Sequence, residues 1–383
     1  MLGAEADVTG TKLDEELDEG TRALLERYGF ERATFEQLRA RLAGGLADEE
    51  HNRVTSPLAP PEAGDVIELP PLGSSDRARL HALGLELVAR GAVGVVVLAG
   101  GMATRFGGVV KAAVEVTRGL SFLDLKLRDV AHVAATAGGT IPVYLMTSFA
   151  THDEVTKLAR AYEHAGVEVV AFPQFISLRL TASGALFRDG AGKLSPYAPG
   201  HGDLVPALRR AGILAALRAR GVELLFMSNV DNLAATLDPA VIGAHAEERA
   251  ELTFEVARLD PGDKGGVPAR LDGRLQVIEA MRYPRGFEER SIPLFSTNSF
   301  VLDVAAVDRE FDLSWFRVTK QVEGRPAIQF ERLVNQLTAF VRARGLAISR
   351  DGTDSRFLPV KDPPDLAARR ASIEAVLSSR GAL

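Results

Sequence analysis

The sequence predicts an α/β fold built on a mostly parallel sheet, and three observations carry that reading. Val93–Ala99 is a continuous apolar, largely β-branched run, the mark of a strand buried on both faces. From there on, strand-like and helix-like segments alternate, as repeated β-α-β units require. Glycine-rich and polar clusters follow the strands, where ligands sit in such sheets, beyond the carboxyl ends near a switch in strand order.

Before about Gly91 the chain reads as helices and a polar linker. Leu13–Tyr28 has apolar residues at helical spacing, and Thr34 with Gln37 offers a capping-box start to a second helix. Ser56–Ser75 carries five prolines and reads as an extended surface connector. Leu80–Val88 is a helix leading into the main domain, so the expected division is 1–90, a helical segment and linker, and 91–383, one large domain. Within the latter, Phe122–Ala135 is helical, Val143–Thr147 a strand, and Thr151 with Glu154 caps the next helix. Val167–Phe172 reads as a strand, Leu204–Arg218 as a helix and Val222–Met227 as a strand. Thr253–Val256 and Leu294–Leu302 add strands, and Ala327–Arg344 reads as a late helix.

Composition narrows the function classes. The chain has 383 residues, 46% of them hydrophobic, and a net charge of −6, which argues against non-specific nucleic-acid binding through a basic face. No apolar run approaches the roughly 20 residues a membrane span needs, and the acidic N-terminus lacks the apolar core of a secretory signal. The expectation is a cytoplasmic protein, monomeric or a small homo-oligomer, with neither nucleic acid nor membrane as a partner. Cysteine is absent, which excludes disulfides, thiolate metal sites and cysteine nucleophiles.

The first chemical cluster is Leu98-Ala99-Gly100-Gly101-Met102-Ala103-Thr104-Arg105-Phe106-Gly107, followed by Lys111. Paired glycines directly after a buried strand let the backbone approach a ligand and offer N–H donors. Arg105 and Lys111 add positive charge suited to a triphosphate. Neither the Walker phosphate loop nor the dinucleotide fingerprint G-x-G-x-x-G fits, which disfavours a Rossmann dehydrogenase. Taken alone, the cluster also reads as a flexible surface loop.

Further along stand Ser121-Phe122-Leu123-Asp124-Leu125, Leu145-Met146-Thr147-Ser148-Phe149, Phe172-Pro173-Gln174 and Pro199-Gly200-His201-Gly202-Asp203. Ser228-Asn229-Val230-Asp231-Asn232-Leu233, Lys264-Gly265-Gly266 and Arg356-Phe357-Leu358-Pro359-Val360-Lys361 follow. In this order, from about Val95 to Asp365, the segments resemble the motifs of uridylyltransferases acting on sugar 1-phosphates, nearest to the UTP–glucose-1-phosphate branch. The resemblance implies a mixed, mostly parallel, Rossmann-like nucleotidyltransferase sheet flanked by helices. The chain runs only a short way past Lys361, so no C-terminal β-helix domain is expected.

The resemblance also implies roles. Leu98, Ala99, Gly100 and Gly101 would line the uridine pocket, Lys111 would bind nucleotide phosphate, and Gln174 would read uracil. Gly200 would lie against the nucleotide and His201 against the sugar phosphate. Asn229, Glu279 and Asn298 would hold the sugar, Asp231 would hold Mg²⁺ and Lys361 would reach the reacting phosphates. UTP and a sugar 1-phosphate are then the substrates. The blander readings are a turn-capping Gln174, a loop His201, a helix-capping Asp231 and a solvated Lys361.

The chemistry is consistent with this inventory. A phosphate monoester, with a second pKa of about 6, is already an ionised nucleophile near neutral pH, so no side-chain activator is needed. The site must supply alignment and charge neutralisation between two polyanions, and Arg105, Lys111, Lys361 and Asp231 with Mg²⁺ can do so. Ala103 and Val110 replace an expected glycine and proline, and Ser296 and Ser299 stand where glucose-specific relatives tend to carry asparagine. Galactose 1-phosphate and N-acetylglucosamine 1-phosphate therefore stay open beside glucose 1-phosphate, as does a non-catalytic UTP or UDP-sugar sensor.

Overall fold

Strands β1 Val66–Glu68, β2 Val93–Leu98, β3 Ile141–Thr147, β4 Val167–Pro173, β5 Leu224–Asn229, β6 Leu252–Arg258, β7 Leu294–Asp303 and β8 Ala343–Ala347 form the central sheet. Their order across it is β1-β8-β6-β7-β5-β2-β3-β4. The structure, a computed structural model, describes residues 13–160 and 166–383, and the side chains of 103 and 104 fall outside that description. Strand β7 runs antiparallel to both its neighbours, and every other pairing is parallel. The expected mixed, mostly parallel sheet is therefore observed.

The period of two in β2 explains its position. Val93, Val95 and Val97 pack on one face with Phe122, Leu125 and Leu127, while Val96 joins Leu204, Leu208 and Leu225 on the other. Both faces are covered, which is why the strand shows no apolar–polar alternation. Ser75–Ala89 packs against Pro239–Glu248 on the first face. The N-terminal helices Glu19–Arg27 and Arg32–Ala43 belong to a separate apolar cluster with Ile176, Leu178, Ile328 and Phe330.

Several local expectations are corrected. Ala327–Arg344 is not a helix: Arg325–Glu331 is a strand paired with Phe316–Val322, Val334–Ala339 is a 3₁₀ turn, and β8 follows. Tertiary pairing overrides helix propensity there, because Ile328 and Phe330 complete the N-terminal apolar cluster. The helix read at Leu204–Arg218 is two, Leu204–Arg210 and Ile213–Ala219, broken at Gly212, whose φ of 70° no helix accommodates. The second N-terminal helix starts at Arg32, ahead of Thr34, without a side-chain cap. Within the proline-rich stretch, Val66–Glu68 adds itself in parallel to β8, with Val66 opposite Gly345. Among the described residues no β-helix forms, and the chain closes with the helix Pro363–Ser379.

Candidate active site

The strand order switches beside β2. The chain steps outward through β3 and β4, then returns to the opposite side of β2 as β5. Register aligns the carboxyl ends, with Leu98 opposite both Asn229 and Met146. A cleft of about 400 Å³ opens there, lined by Leu98, Gly100, Gly101, Lys111, Met146, Gln174, Ala198, Gly200, His201, Asn229, Val230 and Asp231. A larger cavity, about 750 Å³, lies between Ser75–Ala89 and Arg380 and contains none of these residues. The chemistry sits in the smaller one, at the switch point where α/β sheets bind ligands.

At one end of the cleft lies Gln174, buried at the end of β4. Its backbone N–H donates to Thr147 O at 2.8 Å, but its side-chain Oε1 is buried without a hydrogen-bond partner. A buried acceptor left open is costly unless something completes it. Its amide nitrogen presses on Gly100, where an added Cβ would come within 2.5 Å of Nε2. The glycine loop is fixed from behind: Ser148 Oγ donates to Gly100 O at 2.8 Å and Thr151 Oγ1 to Ala99 O at 3.1 Å. Thr151 does precede the helix His152–Ala159, yet its hydroxyl serves the glycine loop and makes no helix cap. Ala99 itself is buried, its N–H donating to Met146 O, so it supports the cleft without lining it.

At the other end, three distant parts of the chain meet. Lys111 Nζ lies 3.9 Å from Asp231 Oδ2 and 4.7 Å from the centre of the Phe106 ring, and donates to Val360 O. Burial pushes the Lys111 ammonium pKa down, with Asp231 and Asp362 opposing; burial pushes the Asp231 carboxyl up, with Lys111 opposing. Val360 N donates to Asp231 O at 3.0 Å, and Asn232 receives Leu358 N at 2.9 Å while donating to Arg356 O at 3.1 Å. The R-F-L-P-V-K segment is thus strapped over the S-N-V-D-N-L loop. Lys361 follows directly, exposed at the rim, and Arg105 stands there too, 4.0 Å from Asp362. Val110 is buried and pairs with Met102, which places Lys111 without the expected proline. Ala103 falls outside the described side chains.

On the third side, Gly200, with a φ of 109°, and Gly202 pack their backbone against Arg332. His201 Nδ1 accepts from Val334 N at 3.0 Å, so the ring carries its proton on Nε2; burial pushes its pKa down to about 4. Asn298, at a left-handed φ of 60°, donates from Nδ2 to Asn229 Oδ1 at 3.0 Å and keeps a buried, unpartnered Oδ1. Ser296 Oγ receives Asn298 N at 3.3 Å. Glu279 stands off the cleft lining and accepts from Asn335, on the same turn as Val334. Gly266 of the K-G-G motif packs closely on the strand before Glu279, since a Cβ there would lie 2.7 Å from Val277 Cγ1 and 3.1 Å from Ile278 O.

Sequence reasoning gave no roles to Arg356, Asn335 or Lys126, and none to the side chain of Asn232. Arg356 is fully buried, bonded to Glu255 and Thr236. Arg356 and Asn232 lie inside the motifs and Lys126 directly follows one, so the signal was adjacency. Among the described residues no group of three His, Cys, Asp or Glu could hold a metal. Asp231 offers one hard-oxygen carboxylate, a donor that suits Mg²⁺, which keeps waters and takes other oxygens from phosphates.

Comparison with known proteins gives this geometry its context. The family profile described as UTP–glucose-1-phosphate uridylyltransferase matches residues 35–376. The Hordeum vulgare UTP–glucose-1-phosphate uridylyltransferase is 30% identical over 95% of this chain and 78% of its own length. The Solanum tuberosum protein of the same name is 32% identical over 71% of this chain, but the match spans only 60% of its length. In fold the chain is similar to a UDP-glucose pyrophosphorylase from Leishmania major solved with UDP-glucose, at TM-score 0.70 and 23% identity, covering 92% of this chain and 79% of that one. It is also similar to the UDP-N-acetylglucosamine pyrophosphorylase from Trypanosoma brucei, at TM-score 0.74 and 20% identity, covering 92% and 79%. With a profile match across most of its length, the chain belongs to the UTP–glucose-1-phosphate uridylyltransferase family.

Proposed function

We propose that this protein transfers the uridylyl group of UTP to glucose 1-phosphate, forming UDP-glucose and releasing pyrophosphate, with Mg²⁺ held through Asp231. The observation that carries the reading is one cleft with two chemically distinct ends. Gln174 presents an open carbonyl beside Gly100 at one end, and Lys111 faces Asp231 at the other. A side-chain amide can both accept and donate, as uracil's adjacent N–H and carbonyl require. The phosphate oxygen of glucose 1-phosphate attacks the α-phosphorus, and the α–β oxygen bond breaks with its electron pair on pyrophosphate. Bound Mg²⁺ would neutralise phosphate charge. Lys111, Arg105 and Lys361 counter the remaining charge, His201 donates from Nε2 toward the sugar phosphate, and Asn229, Asn298 and Glu279 orient the sugar. The names of the relatives favour glucose. A cytoplasmic location belongs to the same reading and rests on the cysteine-free composition.

The test is pyrophosphate release with UTP, Mg²⁺ and a panel of glucose, galactose and N-acetylglucosamine 1-phosphates. Release that is fastest with glucose 1-phosphate supports the proposal. Binding of UTP with no release on any sugar would make the protein a sensor instead.

A further inference from the structure

The S-N-V-D-N-L loop leaves β5 and has to hold Asp231 in the cleft. Its two ends meet on one side chain. Lys126, on the helix Phe122–Ala137, is 4% exposed and donates to Ser228 Oγ at 3.0 Å and Ala235 O at 2.6 Å. Ser228 and Ala235 bracket Asp231, and each is only 1% exposed. A second tie, the Asn232 amide, fixes the middle of the loop to residues 356 and 358.

Closing a loop does not by itself call for a charge, and burying an ammonium is costly unless other groups compensate it. Both hydrogen bonds of Lys126 end on neutral oxygens. The charged groups that act on it are Asp129 on its own helix, Arg356, Glu255 on β6, and Asp231. Asp129 already accepts from Leu237 N at 2.7 Å, and Glu255 from Arg356 Nε at 2.9 Å. The charge of Lys126 is met most strongly by Asp129 and more weakly by Asp231, while its two hydrogen bonds hold both ends of the loop that presents Asp231.

We infer that Lys126 is a positioning residue for uridylyl transfer: its buried ammonium ties both ends of the Asp231 loop and sets positive charge behind the carboxylate that faces the phosphates. The inference rests on the proposed function and deepens it.

Lys126→Met and Lys126→Gln in the full chain test it, through kcat and KM for UTP together with hydrogen exchange of residues 228–235. Lys126→Met is expected to lower kcat about tenfold or more while KM for UTP moves less than about threefold. Exchange should rise in 228–235 while β2 and β3 stay protected. Lys126→Gln removes the charge but keeps an N–H donor one bond shorter, so its loop should exchange more slowly than that of Lys126→Met while kcat is still lost; it also serves if the methionine variant does not fold. The idea is overturned by kcat of Lys126→Met within about twofold of wild type, by full kcat in Lys126→Gln, or by protection lost across β2 and β3 as well. An inactive wild type would instead sink the proposed reaction, and the exchange arm would still decide whether Lys126 holds the loop.

Discussion

Lys111 Nζ stands 3.9 Å from Asp231 Oδ2 and also donates to the carbonyl of Val360. One ammonium therefore joins the glycine loop, the end of β5 and the C-terminal segment. If Asp231 helps to hold Mg²⁺, which would supply charge neutralisation for the phosphates, Asp231→Asn should lower turnover by orders of magnitude while UTP binding survives in part. Steady-state pyrophosphate release and calorimetric UTP titration measure the two separately. Unchanged turnover would remove Asp231 from the mechanism.

Base choice is tested at Gly100 and Gln174. An alanine Cβ at 100 would lie 2.5 Å from Gln174 Nε2 and 3.2 Å from Ser148 N. The second neighbour is backbone and cannot yield, so Gly100→Ala should displace the Gln174 amide and raise KM for UTP. Wild type should prefer UTP over CTP, whose ring reverses the donor–acceptor pattern, by about 1–3 kcal/mol for one lost hydrogen-bond match. Gln174→Ala should narrow that preference. Equal kcat/KM for UTP and CTP in the wild type would mean that Gln174 does not read the base.

Much of this was legible in the sequence, for physical reasons that differ by element. The β2 run Val93–Ala99 has to be buried on both faces, and the polar clusters after the strands converge on one cleft because parallel strands share a carboxyl edge. What stayed hidden depends on long-range pairing. Ile328 and Phe330 read as helix because nothing local reveals the partner strand Phe316–Val322. Arg356 read only as part of a motif, because its partner Glu255 lies 101 residues away. Glu279 and Asn298 are held by Asn335 and Asn229 from other elements, which nothing local to either residue reveals.

A buried charge cluster lies behind the site. Asp238 is 4% exposed, and its Oδ2 lies 2.6 Å from Arg77, 2.8 Å from Arg380 and 3.7 Å from Arg356. Burial alone pushes its carboxyl up, but the guanidiniums of Arg356, Arg380 and Arg77 outweigh it and hold the pKa well below the ordinary value. A carboxylate depressed in the folded state adds stability that is present above its unfolded pKa, about 4, and is lost as pH falls through the folded value. Asp238→Ala should cost about 3–5 kcal/mol near neutral pH by stranding buried guanidiniums. It should also flatten the fall in stability below about pH 4. Denaturant melts of both proteins from pH 7 to pH 3 read both effects; a variant as stable as wild type would show that the cluster contributes little.

Lys361 puts the R-F-L-P-V-K segment to the most direct test. Its side chain is exposed, and nothing in its immediate surroundings marks it as functional. Its backbone is another matter: Val360, one residue earlier, donates to Asp231 O at 3.0 Å and accepts from Lys111, and Lys361 N donates to Asp365 Oδ2 at 3.0 Å. The Cα of Lys361 is thereby pinned beside Lys111 and Asp231, while the long side chain is left in solvent. An ammonium so placed would counter the charge that grows on departing pyrophosphate, an interaction stronger in the transition state than in the ground state. Lys361→Ala should then cut kcat by about two orders of magnitude or more while UTP affinity changes by only a few fold. The melting curve should match wild type, since the deleted atoms are in solvent. Asn232→Ala supplies the contrast, because it loosens the strap itself, removing the acceptor for Leu358 N and the donor to Arg356 O, and should weaken both kcat and stability. If Lys361→Ala turned over at the wild-type rate, the strap would be structural only, and Lys111 and Arg105 alone would have to meet the leaving group.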